Sequence, residues 1–239
     1  MTEPPAASTA SPPVSATRWP LLSSPQQELL KWLAVALMTL DHANRSLWPF
    51  QGWAFALGRL AFPLFALLAA YNLSVRGVSW RRYGLPLLAF GVLAQLPAMA
   101  ALGRGPLPLN VMFTLFLGVT FLPAVRGLRR FMPGWLALLN ATLLWGTLSL
   151  LVEYGPVGVL LVPATQWLLV RPSFPAAALA ALAALAANSF VPAAVVPLAL
   201  PLLVWGVAHL ELPPLPRSRW AAYAFYPGHL ALLALAGGT

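Results

Sequence analysis

Apolar runs follow one another along most of the chain, each closed by a short polar or Gly/Pro-bearing break. They cover Gln27–Asn44, Trp53–Val75, Tyr83–Leu102, Pro108–Val125, Pro133–Val152, Gly155–Val170, Phe174–Phe190, Ala193–His209 and Trp220–Gly238. A helix crosses a bilayer with about 20 predominantly apolar residues, and these runs reach or approach that length. The pattern predicts an all-α fold: a polytopic integral-membrane helical bundle of about nine transmembrane helices. The runs from Gly155, Phe174 and Ala193 are the shortest, with little polar sequence between them. Pro156, Pro163, Pro192, Pro197 and Pro201 fall in or beside them. Neighbouring helices can satisfy the carbonyls that proline frees, so kinked helices are expected there rather than breaks. Residues Met1–Pro25 break the pattern, being rich in Pro, Ala, Ser and Thr without an apolar run. They lack the basic start and apolar stretch of a signal peptide and are expected to form a disordered cytoplasmic tail ahead of one transmembrane domain over 26–239.

Composition supports lipid as the solvent. The 239 residues are 60% hydrophobic and 8% charged, with a mean hydropathy of +0.78. A soluble domain of this size cannot hide that much apolar surface from water. The net charge of +9 would suit nucleic acid, but the basic residues are strung through short loops between the runs. Arg18, then Arg76, Arg81 and Arg82, then Arg126, Arg129 and Arg130, then Arg171, and finally Arg217 and Arg219 alternate to one side; only Arg45 and Arg104 alternate to the other. That asymmetry predicts membrane orientation, with the N-terminus cytoplasmic and the C-terminus outside a cell (inner) membrane, and no nucleic-acid partner. Cysteine is absent, which excludes disulfides, thiolate-bound metal and a cysteine acyl-enzyme; no metal site is expected.

Against this apolar background a few ionisable residues stand out. Each costs roughly 2.5–3.5 kcal/mol at the centre of a membrane helix, so it persists only by pairing or by lining a polar cavity. Lys31 and His42 lie eleven positions apart in the first run, about three helical turns and about 16 Å of rise, on one helix face. Asp41 precedes His42, and Arg45 follows four residues after Asp41, at pairing distance on a helix. Arg59 lies at a similar outer depth in the second run, and Pro63 removes the amide that would bond its carbonyl, so a bend is expected there. An Asp41–Arg59 bridge holding two helices together is the plain structural alternative. Asn110 and Thr114 stand one turn apart at the outer start of the fourth run, Glu153-Tyr154-Gly155 forms an outer turn, and Tyr226, Pro227 and His229 interrupt the last run. A helix-start Asn is commonly a cap and a loop Glu is commonly solvated. A histidine beside a carboxylate in a polar cavity is suited to general-base chemistry.

The segment LLKWLAVALMTLDHANRSLWPF, followed by LGRLAFPLFALLAAYNLSVRG, LNVMFTLFLGV, EYGPVGVLLV and FYPGHLALLAL, resembles the TraX family of conjugal-transfer proteins. The founding function of that family is N-terminal acetylation of F-type pilin. These blocks cover most of the chain in the family's order. TraX proteins look related to the broader integral-membrane acyltransferases of the acyltransferase-3 type, in which an Arg or Lys precedes a first-span His by ten intervening residues. Lys31 and His42 match that spacing, with Lys at the basic position and Glu153 as the acidic residue of a DYG-like block. A Lys lacks the forked contact of an Arg.

The resemblance implies a membrane acyltransferase with acetyl-CoA as acyl-donor co-substrate. Lys31, Asn110 and Tyr226 would bind the donor, and His42, Asp41, Arg59, Glu153 and His229 would form the catalytic group. His42 would deprotonate an amine or hydroxyl acceptor, with Asp41 or a neighbouring carboxylate orienting the imidazole, and Arg59 or Asn110 would stabilise the oxyanion. The partners implied are the lipid bilayer and a membrane-associated or surface-polymer acceptor, pilin being the founding example. The same buried groups also suit a transporter or flippase using Asp41, His42 and Arg59 as a proton or substrate pathway. A non-catalytic assembly partner of a secretion or pilus apparatus is the third alternative.

Overall fold

The computed structural model describes residues 21–47, 50–188, 193–218 and 220–237. The tail residues 1–20 with Arg18, and also Pro192 and Arg219, lie outside the described residues. Among those described, the secondary structure is helical apart from one isolated β-bridge.

Helix α1 spans Ser24–Ser46. Ser23 starts it with a reciprocal capping box: its amide donates to Gln26 Oε1 at 2.8 Å, and its hydroxyl accepts from the Gln26 amide. Just ahead, the buried Leu22 donates its amide to the Tyr71 hydroxyl at 2.8 Å. The folded body therefore begins before Pro25, where the sequence pattern alone expects tail. The second apolar run forms two helices, α2 (Gly52–Gly58) and α3 (Ala61–Ser74), interrupted at Arg59–Leu60. The break stands where Pro63 leaves the Arg59 carbonyl without its helical donor.

Helix α4 (Trp80–Leu102) ends on Gly103, whose left-handed φ of 60° suits a residue without Cβ. There follow α5 (Val111–Leu128), α6 (Gly134–Ser149), α7 (Gly155–Val170) and α8 (Phe174–Ala186). A 3-10 segment at Ala193–Ala199 leads into α9 (Leu200–Ala208), and α10 (Ala221–Gly237) closes the chain. Pro156 and Pro201 occupy first turns, where no intrahelical donor is lost, whereas α7 runs through Pro163 and the 3-10 segment accommodates Pro197.

Contacts at the helix ends fix the alternation. The Gln26 side chain donates to the Ala208 and Leu210 carbonyls, Arg217 meets Ser24, and Lys31 donates to the Ser218 carbonyl. The start of α1, the end of α9 and the start of α10 thus share one end of the bundle. At the opposite end, Ser46 donates to the Ala101 carbonyl of α4, and Gly237 closes on the Ser46 carbonyl. We call these the Lys31 end and the His42 end.

Helices α1, α3, α4, α5, α7 and α10 pack together around the centre, while α6 lies at the periphery against α5 and α7. Polarity is arranged inside out. Phe131, Trp135, Leu143, Phe174 and Leu202 are exposed, while Asp41, His42, Arg59, Thr114 and His229 are buried. Three helical stretches, Gly52–Ser74, Trp80–Leu102 and Val111–Leu128, are long and apolar enough to cross a membrane; Gly155–Val170, Phe174–Ala186, Ala194–Ala208 and Ala221–Gly237 are shorter apolar helices. An apolar exterior around a polar centre is the arrangement lipid favours.

Candidate functional site at two opposed cavities

Asp41 lies one turn from the end of α1 and faces the break between α2 and α3. Its Oδ2 takes Arg59 Nη2 at 2.5 Å and Arg45 Nη2 at 3.0 Å. Gly58 makes this approach possible, because a Cβ there would fall 2.5 Å from the Asp41 Cβ. The Arg59 guanidinium rests 4.6 Å from the Phe55 ring centroid and 5.9 Å from that of Tyr154, and its buried Nε has no hydrogen-bond partner. The bridge anticipated between the first two apolar runs is present, with Arg45 as a second cation on the same carboxylate.

His42 points toward α10 rather than toward a carboxylate. Its Nδ1 lies 2.8 Å from His229 Nε2, and His229 Nδ1 lies 2.9 Å from the Phe225 carbonyl. The two rings are 5° from parallel with centroids 5.1 Å apart, the separation of imidazoles meeting edge to edge. A carbonyl only accepts, so His229 Nδ1 carries a proton and, in the neutral ring, Nε2 is an acceptor. His42 Nδ1 must then donate, which leaves the lone pair of its own Nε2 available. The group that holds the His42 ring is His229, and Asp41 is occupied by the two arginines.

Glu153 is brought to the same end by backbone pairing. Leu109 and Val152 form a parallel bridge, in which the Leu109 amide donates to the Leu151 carbonyl at 2.8 Å and the Glu153 amide donates to the Leu109 carbonyl at 2.9 Å. Thr114 adds a hydrogen bond to the Glu153 carbonyl at 2.5 Å. The Glu153 carboxylate pairs with Arg104. Burial and the neighbouring Arg45 hold the Arg104 guanidinium below its ordinary proton affinity. Tyr154 adopts a left-handed φ of 62°, uncommon for a residue with a side chain, and its ring stacks on Phe62 at 4.1 Å between centroids.

Asp41, His42, Arg45, Arg59, Arg104 and Glu153 all line one cavity of about 520 Å³ at the His42 end. A second cavity of about 450 Å³ opens from the Lys31 end. Lys31, Arg76, Arg82 and Arg217 line it, with Glu28 as the acidic residue among its lining. Lys31 is held there by Glu28 at 2.5 Å and by the Ser218 carbonyl at 3.1 Å. Met38, Phe65 and Val111 line both cavities and so form the septum between them. Tyr226 lines the Lys31-side cavity while its ring lies 6.2 Å from that of His42 and 5.6 Å from that of His229.

Asn110 lies apart from this chemistry. Its Oδ1 caps α5 by accepting from the Met112 amide at 3.1 Å, and its Nδ2 donates to the Gly91 carbonyl and Gln95 Oε1 at 2.8 and 2.9 Å. Conversely, Asn188 lines the His42-side cavity with an unpartnered buried Oδ1. The sequence offered only a weak signal for it, a single polar residue closing an Ala-rich helix. Among the described residues no cluster of His, Asp and Glu is arranged to hold a metal ion.

The TraX family profile, described as TraX protein, matches residues 26–236. The chain belongs to the TraX family. Protein TraX of Escherichia coli is 34% identical over 218 residues, covering 87% of this chain and 86% of that protein. Protein TraX of Escherichia coli strain K12 is 55% identical over 49 residues, and the matched segment spans 20% of each chain. Uncharacterized protein RP591 of Rickettsia prowazekii strain Madrid E is 29% identical over 134 residues, covering 54% of this chain and 50% of that protein. No solved structure matches the chain. The matched region takes in the histidine pair, the lining of the His42-side cavity and that of the Lys31-side cavity apart from Ser24.

Proposed function

We propose that this TraX-family chain is an integral-membrane acyltransferase that moves an acetyl group from acetyl-CoA to an amine or hydroxyl acceptor. The observation that carries this reading is the His42 Nε2 lone pair in a polar cavity that meets a basic cavity at a septum of three side chains. Lys31, Arg76, Arg82 and Arg217 supply four cations against Glu28, a donor set suited to phosphates at a cavity mouth. The distance from Lys31 to His42 along α1, about 16 Å from the helical rise, is comparable to an extended pantetheine arm. Tyr226, at the inner end of that cavity, would flank the arm.

Acetyl-CoA supplies the activated acyl group. His42 Nε2 takes the proton from the acceptor N–H or O–H as the acceptor bonds to the thioester carbonyl carbon. His229 fixes the tautomer and shares the charge that forms on the imidazole. The Arg59 guanidinium is the cation suited to the oxyanion, whereas Asn110 has no hydrogen left for that role. The carbon–sulfur bond then breaks, the proton taken from the acceptor passes from His42 to the departing sulfur, and no covalent acyl-enzyme is required.

The membrane placement that goes with this reading is multi-pass in a cell (inner) membrane. The Lys31 end, flanked by Arg76, Arg81, Arg82, Arg126, Arg129, Arg130 and Arg171, would face the cytoplasm. The acceptor would then come from the opposite side, as a membrane-associated or surface-polymer group, the pilin N-terminus being the acceptor of the founding family member. Two cavities opening from opposite ends also suit a transporter or flippase, and thioester turnover separates the two. Purified protein in nanodiscs, with a panel of amine and hydroxyl acceptors, is expected to consume acetyl-CoA, and H42A to bind it without transfer. Absence of both binding and turnover for every acyl-CoA tried would leave transport as the reading to pursue.

A further inference from the structure

We infer that the His42-side cavity recognises an acceptor whose amine or hydroxyl stands beside an anionic oxygen group, such as a phosphate. This rests on the acyltransferase reading for what happens to the acceptor, but not for its binding.

Three guanidiniums, Arg45, Arg59 and Arg104, line that cavity against two carboxylates, Asp41 and Glu153. Glu153 is engaged by Arg104, and the single Asp41 carboxylate is divided between Arg45 and Arg59. One positive charge is left without a counter-charge around the cavity, with Arg59 buried and the Arg45 and Arg104 side chains 26% and 30% exposed. Arg45 and Arg104 are partly hydrated, so this excess draws an anion toward the cavity without requiring one. The second observation is Arg59 Nε, a buried donor with no partner on a residue that is 9% exposed. Asn188 Oδ1, equally buried and unpartnered, is a hydrogen-bond acceptor at the same wall, suited to the ligand's amine or hydroxyl rather than to its anionic group.

Guanidinium groups hold phosphate and carboxylate oxygens through charge-assisted, forked hydrogen bonds. Asp41 fills the space between Arg45 and Arg59, so the anion would seat on the N–H groups that Asp41 leaves free, Arg59 Nε among them, close to His42, the neighbour of Asp41 on α1. Its own amine or hydroxyl, a few bonds away, would then meet the free Nε2. Phospholipid headgroups and small soluble phosphate esters share this chemistry, while a neutral sugar or an uncharged peptide terminus lacks it.

The test uses the full chain in an uncharged detergent, with binding read separately from transfer. Probes are O-phosphoethanolamine, ethanolamine, phosphatidylethanolamine in mixed micelles, and an alanine-initiated peptide. O-Phosphoethanolamine or the phospholipid is expected to bind at least about tenfold more tightly than ethanolamine, the order of one charge-assisted hydrogen bond. The R45Q variant should erase most of that difference and R45K should restore part of it, with both variants checked for a monodisperse folded state. Preference for the lipid over its soluble headgroup would identify the bilayer as the source; the reverse would identify a soluble ester. Equal binding of phosphate-bearing and phosphate-free probes, stronger binding of the peptide, or no binding of either phosphate compound would overturn the inference. Selective anion binding without acetyl transfer would instead remove the acyltransferase reading and leave this one standing.

Discussion

His42 and His229 meet edge to edge across 187 positions of sequence, with Nδ1 of the first 2.8 Å from Nε2 of the second. The Phe225 carbonyl anchors the far side of His229 at 2.9 Å. One backbone oxygen therefore determines, through two rings, which nitrogen of His42 is left to act. A carboxylate in the position of His229 would hold the ring in the same way but would add a buried negative charge. A neutral histidine avoids that charge and gives a weaker base.

Replacing His42 by Ala is expected to lower acetyl transfer by about 10²–10⁴-fold, the usual contribution of a positioned general base. H229A should lower kcat by a smaller factor, with KM for both substrates nearly unchanged, because it acts through the orientation of His42. H229Q, whose side-chain oxygen can still accept from Nδ1, should recover part of the loss. Steady-state kinetics on the three variants decide this, and equal activity of H229A and wild type would remove His229 from the mechanism.

Asp41 and Arg59 form the main electrostatic tie between α1 and the broken second helix, and both side chains are largely withdrawn from solvent. Breaking a buried pair by removing one partner leaves the other charge uncompensated, which costs about 3–5 kcal/mol. D41A and R59A are each expected to destabilise the chain by about that order in detergent unfolding. D41A should be the worse of the two, because it strands Arg45 as well as Arg59. The double variant should cost less than the sum of the single ones, as expected for residues in contact.

The helical character and the position of each run were legible because lipid-facing helices need little beyond length and hydrophobicity. The structure puts helical segments in all nine runs, with the second and eighth each built from two pieces. The Asp41–Arg59 pair was also legible, since two opposite charges at similar depth have few other partners. The His42–His229 bond was not, because it depends on α10 lying against α1, which no local pattern specifies. The cap role of Asn110 and the cavity role of Asn188 likewise depend on which helix stands opposite. Glu153 reaches Arg104 through a two-residue bridge at Leu109 and Val152, too short to leave a strand pattern in the sequence.

Gly58 and Gly146 offer a controlled comparison. A Cβ on Gly58 would stand 2.5 Å from the Asp41 Cβ, whereas one on Gly146 would meet nothing within 4 Å. G58A must push Asp41 off its two arginines and is expected to cost about 1–3 kcal/mol through overpacking. Transfer should fall with it, since Arg59 would lose its position. G146A lies inside α6 and should be neutral or stabilising by about 0.5–1 kcal/mol. Thermal unfolding of both variants in one detergent separates crowding at the site from a general intolerance of alanine.

Met38, Phe65 and Val111 stand between the two cavities, so they decide whether a thioester can reach the acceptor without admitting water. Removing the Phe65 ring would join the cavities and let water approach the thioester carbonyl. F65A is therefore expected to raise acceptor-independent hydrolysis of acetyl-CoA while lowering transfer, with donor binding retained. Lys31→Ala, at the far mouth of the same cavity, should do the opposite: KM for acetyl-CoA rises, and the ratio of transfer to hydrolysis stays constant. Arg76, Arg82 and Arg217 remain to hold the phosphates, so the loss in K31A should be about tenfold, the order of one charge-assisted contact. Measuring free thiol and acetylated acceptor in the same reaction reads both quantities. An F65A protein whose hydrolysis matches wild type would mean that donor and acceptor do not meet across this septum.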